Sequence, residues 1–106
     1  MELKMMILVM LTLHKENADR DFILNKIMES REIRSRILEL KKTKIKGRTN
    51  KCEGEITVVL RRHYNYAIGG TLFHLVAKHY VEIGGSKKHP LYRITEAGIK
   101  IVGELN

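Results

Sequence analysis

The residues best equipped for chemistry form three groups along this chain, and all three carry positive charge or hydrogen-bond donors. Ser86, Lys87, Lys88 and His89 follow the pair Gly84-Gly85 and precede Pro90, which ends the run. Lysines on such a turn can contact phosphate or enter a minor groove. They also keep hairpin edges from pairing with other chains, a purely structural use of the same residues. A second group is Tyr66, Gly69, Gly70, Thr71, His74 and Lys78. On a helix, Thr71, His74 and Lys78 share one side and offer a hydroxyl, an imidazole and an ammonium to base edges. The bare Gly69-Gly70 backbone at that helix's start would admit a phosphate. Tyr66 can donate its hydroxyl to phosphate or simply pack the preceding turn, and His74 can equally be an ordinary surface histidine. The third group, Lys44, Lys46, Arg48, Arg61 and Arg62, suits phosphate contact.

Catalytic patterns find no support in the same inventory. The histidines at positions 14, 63, 74, 79 and 89 contain no i,i+4 pair, and Cys52 is the only cysteine. A zinc or haem site is therefore not expected. The chain has no phosphate-binding Gly-Lys-Ser/Thr motif and no nucleophile elbow. Asp19 and Asp21 stand at a helix start, where acids belong for dipole reasons. The expectation is a protein that is not an enzyme and has neither cofactor nor metal. A lone cysteine excludes an intrachain disulfide and points to a reducing compartment. Cys52 beside Lys51 could be a redox thiol, but an incidental cysteine is the simpler reading.

Charge says what kind of partner to expect. The chain of 106 residues carries a net +8, which on one small domain implies an acidic partner, with nucleic acid ahead of membrane surface. Between Arg31 and Arg62 lie Arg31, Arg34, Arg36, Lys41, Lys42, Lys44, Lys46, Arg48, Lys51, Arg61 and Arg62, opposed only by Glu32, Glu39, Glu53 and Glu55. A solvated surface rarely calls for so one-sided a stretch. The absence of Gln and the single Pro lean toward a heat-adapted composition. The apolar run Met5 to Leu11 is too short to span a bilayer, and Glu2 does not suit a secretory signal, so the cytoplasm is expected.

The elements that must position these groups follow from periodicity. Glu2 to His14 reads as a helix apolar on nearly every side, to be buried on more than one face. Asn17 or Asp19 can cap a second helix reaching about Ser30, with Phe22, Ile23, Ile27 and Met28 facing inward. Ser30 can cap a third, in which Ile33, Ile37, Leu38 and Leu40 are the apolar positions; the two could also be one bent helix. Lys41 to Gly54 reads as a basic loop or a short hairpin turning at Asn50. Glu55 to Tyr64 suits either a strand, by its β-branched residues, or a helix. Helix is preferred, because Asn65 to Ile68 then forms a turn before a helix Gly69 to Lys78 that buries Leu72, Leu75 and Val76. In the strand alternative, Ile56 to Leu60 pairs with Lys44 to Arg48, and Arg31 to Lys42 becomes the helix facing a ligand. Val81 and Ile83, then Leu91, Tyr92 and Ile94, make two strands about the Gly/Lys turn. Arg93 points away from Tyr92 and Ile94, either toward a nucleic acid or toward Glu82. Thr95 caps a last helix, where Gly98 allows close approach to the hairpin and Ile101, Val102 and Leu105 continue an apolar stripe.

The run Gly70-Thr71-Leu72-Phe73-His74-Leu75 leading to Tyr80-Val81-Glu82-Ile83 resembles the recognition helix and first wing strand of winged helix-turn-helix regulators of the MarR and PadR type. Leu91-Tyr92-Arg93-Ile94-Thr95-Glu96-Ala97-Gly98 is similar to their second wing strand and final helix. The resemblance covers about half of the chain, from Glu55 onward. It implies a mainly α fold with a small β-hairpin wing, a single winged-helix domain over residues 1–106. Residues 1–50 would supply N-terminal helices and a basic loop, and residues 55–105 the helix-turn-helix, wing and C-terminal helix. It also implies a homodimer joined by the first and last helices, binding double-stranded DNA specifically as a transcriptional regulator. An architectural, chromatin-like protein with little sequence preference is the alternative that the diffuse basic belt supports. A winged helix that holds proteins or RNA is another, since fold alone does not decide function.

Overall fold

The computed structural model describes residues 2–14, 17–42 and 53–104. The first helix, α1 (Leu3–Leu13), is uncharged from Met5 onward and starts without a side-chain cap, the Glu2 carbonyl accepting from the Met5 and Met6 amides. It buries Ile7, Leu8 and Leu11 completely or nearly so, while Met6, Val9 and Met10 are half-buried and Leu13 is exposed. The expected burial on several faces is thus met on one face and only partly elsewhere.

After α1 the chain passes through Ala18, which is buried and exchanges both backbone hydrogen bonds with Tyr92, at 3.0 and 2.8 Å. Asp19 then caps α2 (Arg20–Met28), its carboxylate accepting from the Phe22 amide at 2.7 Å. Ile23, Leu24, Ile27 and Met28 are buried, and Phe22 is half-buried. Two residues, Glu29 and Ser30, separate α2 from α3 (Arg31–Lys42), and the Ser30 hydroxyl accepts from the Ile33 amide at 3.4 Å. Of the four apolar positions expected to face inward on α3, Ile33 and Ile37 do so, whereas Leu38 and Leu40 are exposed. The reason is geometric: Ile33 and Ile37 are one turn apart on the face that meets α4, and Leu38 is rotated away from it.

The largest difference from expectation is α4 (Glu53–Ala77), one continuous helix of 25 residues. It takes up the preferred helical reading of Glu55 to Tyr64 and excludes the strand over Ile56 to Leu60. It also removes the turn expected at Asn65 to Ile68 and joins the anticipated recognition helix to the segment before it. Burial explains the continuity. Ile56, Leu60, Ile68, Leu72 and Leu75 all lie inward and tie the helix to α1, α2, α3 and the hairpin. That burial outweighs the roughly 1 kcal/mol that each of Gly69 and Gly70 costs a helix interior relative to Ala.

At its C-terminus α4 closes with His79 in a left-handed conformation, φ 64°. The Tyr80 amide donates to the Leu75 carbonyl and the His79 amide to the Val76 carbonyl, both at 3.0 Å. That pair of bonds is a Schellman closure, and it reverses the chain into β1 (Val81–Gly85). This strand pairs antiparallel with β2 (Pro90–Ile94) in the register Val81 to Ile94, Glu82 to Arg93 and Ile83 to Tyr92. Thr95 caps α5 (Glu96–Gly103) by accepting from the Gly98 amide at 3.2 Å, and it donates to the His79 carbonyl at 2.6 Å. Gly98 lies against the hairpin as expected: a Cβ there would stand 2.3 Å from the Tyr80 carbonyl oxygen. The last helix packs on α1, so the first and last helices meet within one chain. The described fold is mainly helical with one two-stranded hairpin, and its principal extents are 50 × 36 × 20 Å.

Candidate nucleic-acid interface

Basic residues reach the surface in two main places. The first is α3, which turns Ile33 and Ile37 inward and leaves Arg31, Arg34, Arg36, Lys41 and Lys42 exposed. Arg31, Ser35, Leu38 and Lys42 follow one another at spacings of four, three and four residues, a single line opposite the buried face. Lys41 lies 3.9 Å from the Glu53 carboxylate, an exposed and therefore weak pair. A groove bounded by Leu3, Met6, Glu32, Ser35, Arg36 and Tyr64 runs along one flank of the helix. A rigid, cation-studded helix behind a two-residue turn can lie along a groove of nucleic acid and offer Arg, Ser and an apolar Leu to base edges.

The second place is the hairpin tip. Ser86, Lys87, Lys88 and His89 are all exposed. The Ser86 hydroxyl and carbonyl both accept from the His89 amide, at 3.1 and 3.2 Å, which closes the turn and leaves the two lysines outermost. Gly85 holds φ 76°, and a Cβ there would come within 2.6 Å of the His89 carbonyl oxygen, so glycine is required for this turn. Arg93 projects outward as expected but is engaged: its Nε donates to Glu82 Oε1 at 2.7 Å across the strand pair, and Nη2 bonds the same oxygen. Of the two roles anticipated for Arg93, pairing with Glu82 is the one seen.

The group expected to act as a recognition helix is arranged differently from that reading. Gly69 does not offer open backbone, because the Arg20 guanidinium lies over it, 3.1 Å from where a Cβ would be, and donates to the Asn65 carbonyl. Glycine here lets α2 and α4 cross closely. Thr71 is half-buried and its hydroxyl donates to the Ala67 carbonyl at 2.9 Å, within its own helix. Gly70 is open, and with Thr71 and His74 it borders a shallow depression beside Glu2, Leu3 and Lys4. His74 and Lys78 are exposed. Arg61 donates to Asn25 Oδ1 at 2.7 Å, which fixes α4 to α2, while Arg62 stays exposed. Lys44, Lys46 and Arg48, together with Cys52 and the turn expected at Asn50, lie outside the described residues.

Sequence reasoning missed the outer face of α4. Tyr66 is 87% exposed and Phe73 79%, with Val58 at 56% and Val59 at 54%. Read as one helix, Val59, Arg62, Tyr66, Gly70 and Phe73 fall on one line; the supposed turn at Asn65 broke that periodicity. Among the described residues no three His, Cys, Asp or Glu side chains are grouped to hold a metal, and no helix is long and apolar enough to cross a membrane. No protein-family model matches the chain, and neither a curated protein nor a solved structure does.

Proposed function

We propose that the protein binds double-stranded DNA and acts as a transcriptional regulator of the winged helix-turn-helix type, with α3 as the helix that enters the major groove. The observation that carries this reading is the pair α2 and α3. Two helices joined by Glu29 and Ser30 end in one that exposes Arg31, Arg34, Arg36, Lys41 and Lys42. The wing reading is supported by the hairpin that follows α4 and by Ala18, which pairs with Tyr92 as a third, one-residue strand. Lys87 and Lys88 at the tip would then add phosphate contacts outside the groove. Arg62, on the open side of α4, would add another.

Selection from a random duplex library, with the bound fraction titrated from low to physiological salt, tests the proposal. Enrichment of a defined motif that survives physiological salt supports a site-specific regulator. Binding without enrichment, lost as salt rises, favours an architectural protein, a reading supported by cations spread over α3, Arg62 and the wing. Absence of duplex binding at low salt would overturn both. The register is tested separately: Arg31→Ala with Lys42→Ala should change sequence preference, whereas His74→Ala and Lys78→Ala should leave preference unchanged. The reverse result would return recognition to the C-terminal half of α4.

A further inference from the structure

One residue on the outer line of α3 is unlike its companions. Leu38 is 53% exposed and packs against no part of the core, whereas Arg31, Ser35 and Lys42 on the same line are polar. A lone exposed leucine is ordinary on a protein surface. This one is bracketed by cations, because helical spacing puts Arg34 and Lys41 to one side of the line and Arg36 to the other. Glu32 and Glu39 fall on the Arg36 side, in the groove toward Leu3, Met6 and Tyr64, and both are engaged there or elsewhere within the chain. The Arg31 guanidinium, at the first position of the helix, takes part in no hydrogen bond or ion pair among the described residues.

We infer that α3 tells one duplex sequence from another through two contacts, Leu38 against the C5-methyl group of a thymine and Arg31 as a bidentate donor to O6 and N7 of a guanine. The inference rests on the proposed duplex binding and goes on to the bases that are read. Cations on both sides of the line hold the helix between two phosphate strands, so the line itself faces the floor of the major groove. Among the four bases only thymine offers a methyl group there, and it suits an apolar side chain. A cytosine under Leu38 would instead bury an amino donor with no acceptor, which costs affinity. Guanine offers two acceptors at the spacing of an arginine fork. Ser35, between them, can donate or accept and so discriminates little. Lys42 at the far end is a point charge that serves guanine or phosphate alike. At 1.5 Å per residue Arg31 and Leu38 stand about 10 Å apart, roughly three steps of 3.4 Å along a strand. The guanine and the thymine therefore lie within about three base pairs of each other.

Selection from a random duplex library should return a motif with guanine and thymine in that spacing. Replacing the thymine with deoxyuridine then removes one methyl group and changes nothing else. Binding of the parent, read by fluorescence anisotropy, should fall about fourfold, and Leu38→Ala should bind the two duplexes equally. Replacing the guanine with 7-deazaguanine removes one acceptor; the parent should lose about tenfold, and Arg31→Ala should not distinguish the two. Circular dichroism of both variants should match the parent, since both side chains are exposed. Duplex binding without such a motif, a parent indifferent to either replaced base, or a variant that keeps the parent's discrimination would overturn the inference and leave duplex binding standing. Absence of duplex binding at low salt would overturn both.

Discussion

His79 adopts a left-handed backbone that an L side chain enters at a cost of about 1 kcal/mol, yet the Schellman bonds at the end of α4 need that conformation. Glycine would enter it freely. His79→Gly should therefore raise stability by about 1 kcal/mol, read in urea or thermal unfolding, and no gain would mean that the imidazole contributes contacts of its own. Gly98 makes the opposite case. With a Cβ position 2.3 Å from the Tyr80 carbonyl oxygen and 2.7 Å from Ile94 Cγ1, Gly98→Ala must push α5 off the hairpin. A loss of about 2 kcal/mol, comparable to overpacking elsewhere, is expected in the same unfolding assay. The role of Gly98 could be read from the chain, since a cap at Thr95 and a glycine three residues on already imply close packing. The role of Gly69 could not, because its partner Arg20 lies 49 positions away in the sequence.

Helix α4 is where local signals and tertiary structure disagree. Asn65 and the pair Gly69-Gly70 are turn-forming residues, and a reader who weighs them alone breaks the chain there. The inward residues Ile56, Leu60, Ile68, Leu72 and Leu75 lie along one continuous helix instead. If that is the determining pattern, the amides of Tyr66, Ala67 and Ile68 should be among the slowest to exchange with deuterium. Fast exchange there, with slow exchange on either side, would restore the turn. Ile68→Ala, at a fully buried position, should cost about 3 kcal/mol through the cavity it leaves. The hairpin, the caps at Asp19 and Thr95 and the presence of α1, α2 and α3 were all legible, because each has a local signature. The Ala18 bridge was not: one residue has no alternation to detect, and its partner Tyr92 is supplied by the far end of the chain.

Over the whole molecule the question is how charge is distributed along its length. At 1.5 Å per residue α4 runs about 37 Å, one turn of duplex DNA, and α3 and the hairpin tip both present cations to solvent. Under the DNA-binding proposal each neutralised phosphate steepens the log-log salt dependence by about 0.9. Replacing Lys87 and Lys88 with Ala should weaken binding to all sequences alike and flatten that slope by about two units at most. An unchanged slope in fluorescence anisotropy titrations would remove the hairpin from the interface. The candidate site was legible as a list of cations and hidden as a geometry, since exposed lysines announce their chemistry but not which of them share a side.

The packing of α5 on α1 has a consequence for the chain while it is being made. Leu13 ends the first helix and Glu96 begins the last, and ribosomes add roughly 5–20 residues per second, so about 4–17 s separate the two. Throughout that interval an uncharged run of Met, Leu, Ile and Val has left the ribosome with part of its final covering still unmade. An apolar segment of this kind is a target for chaperones that capture nascent chains until α5 (Glu96–Gly103) covers it. A released chain ending before Glu96 should leave α1 open to protease and to chaperone cross-linking, and the chain that includes α5 (Glu96–Gly103) should close it.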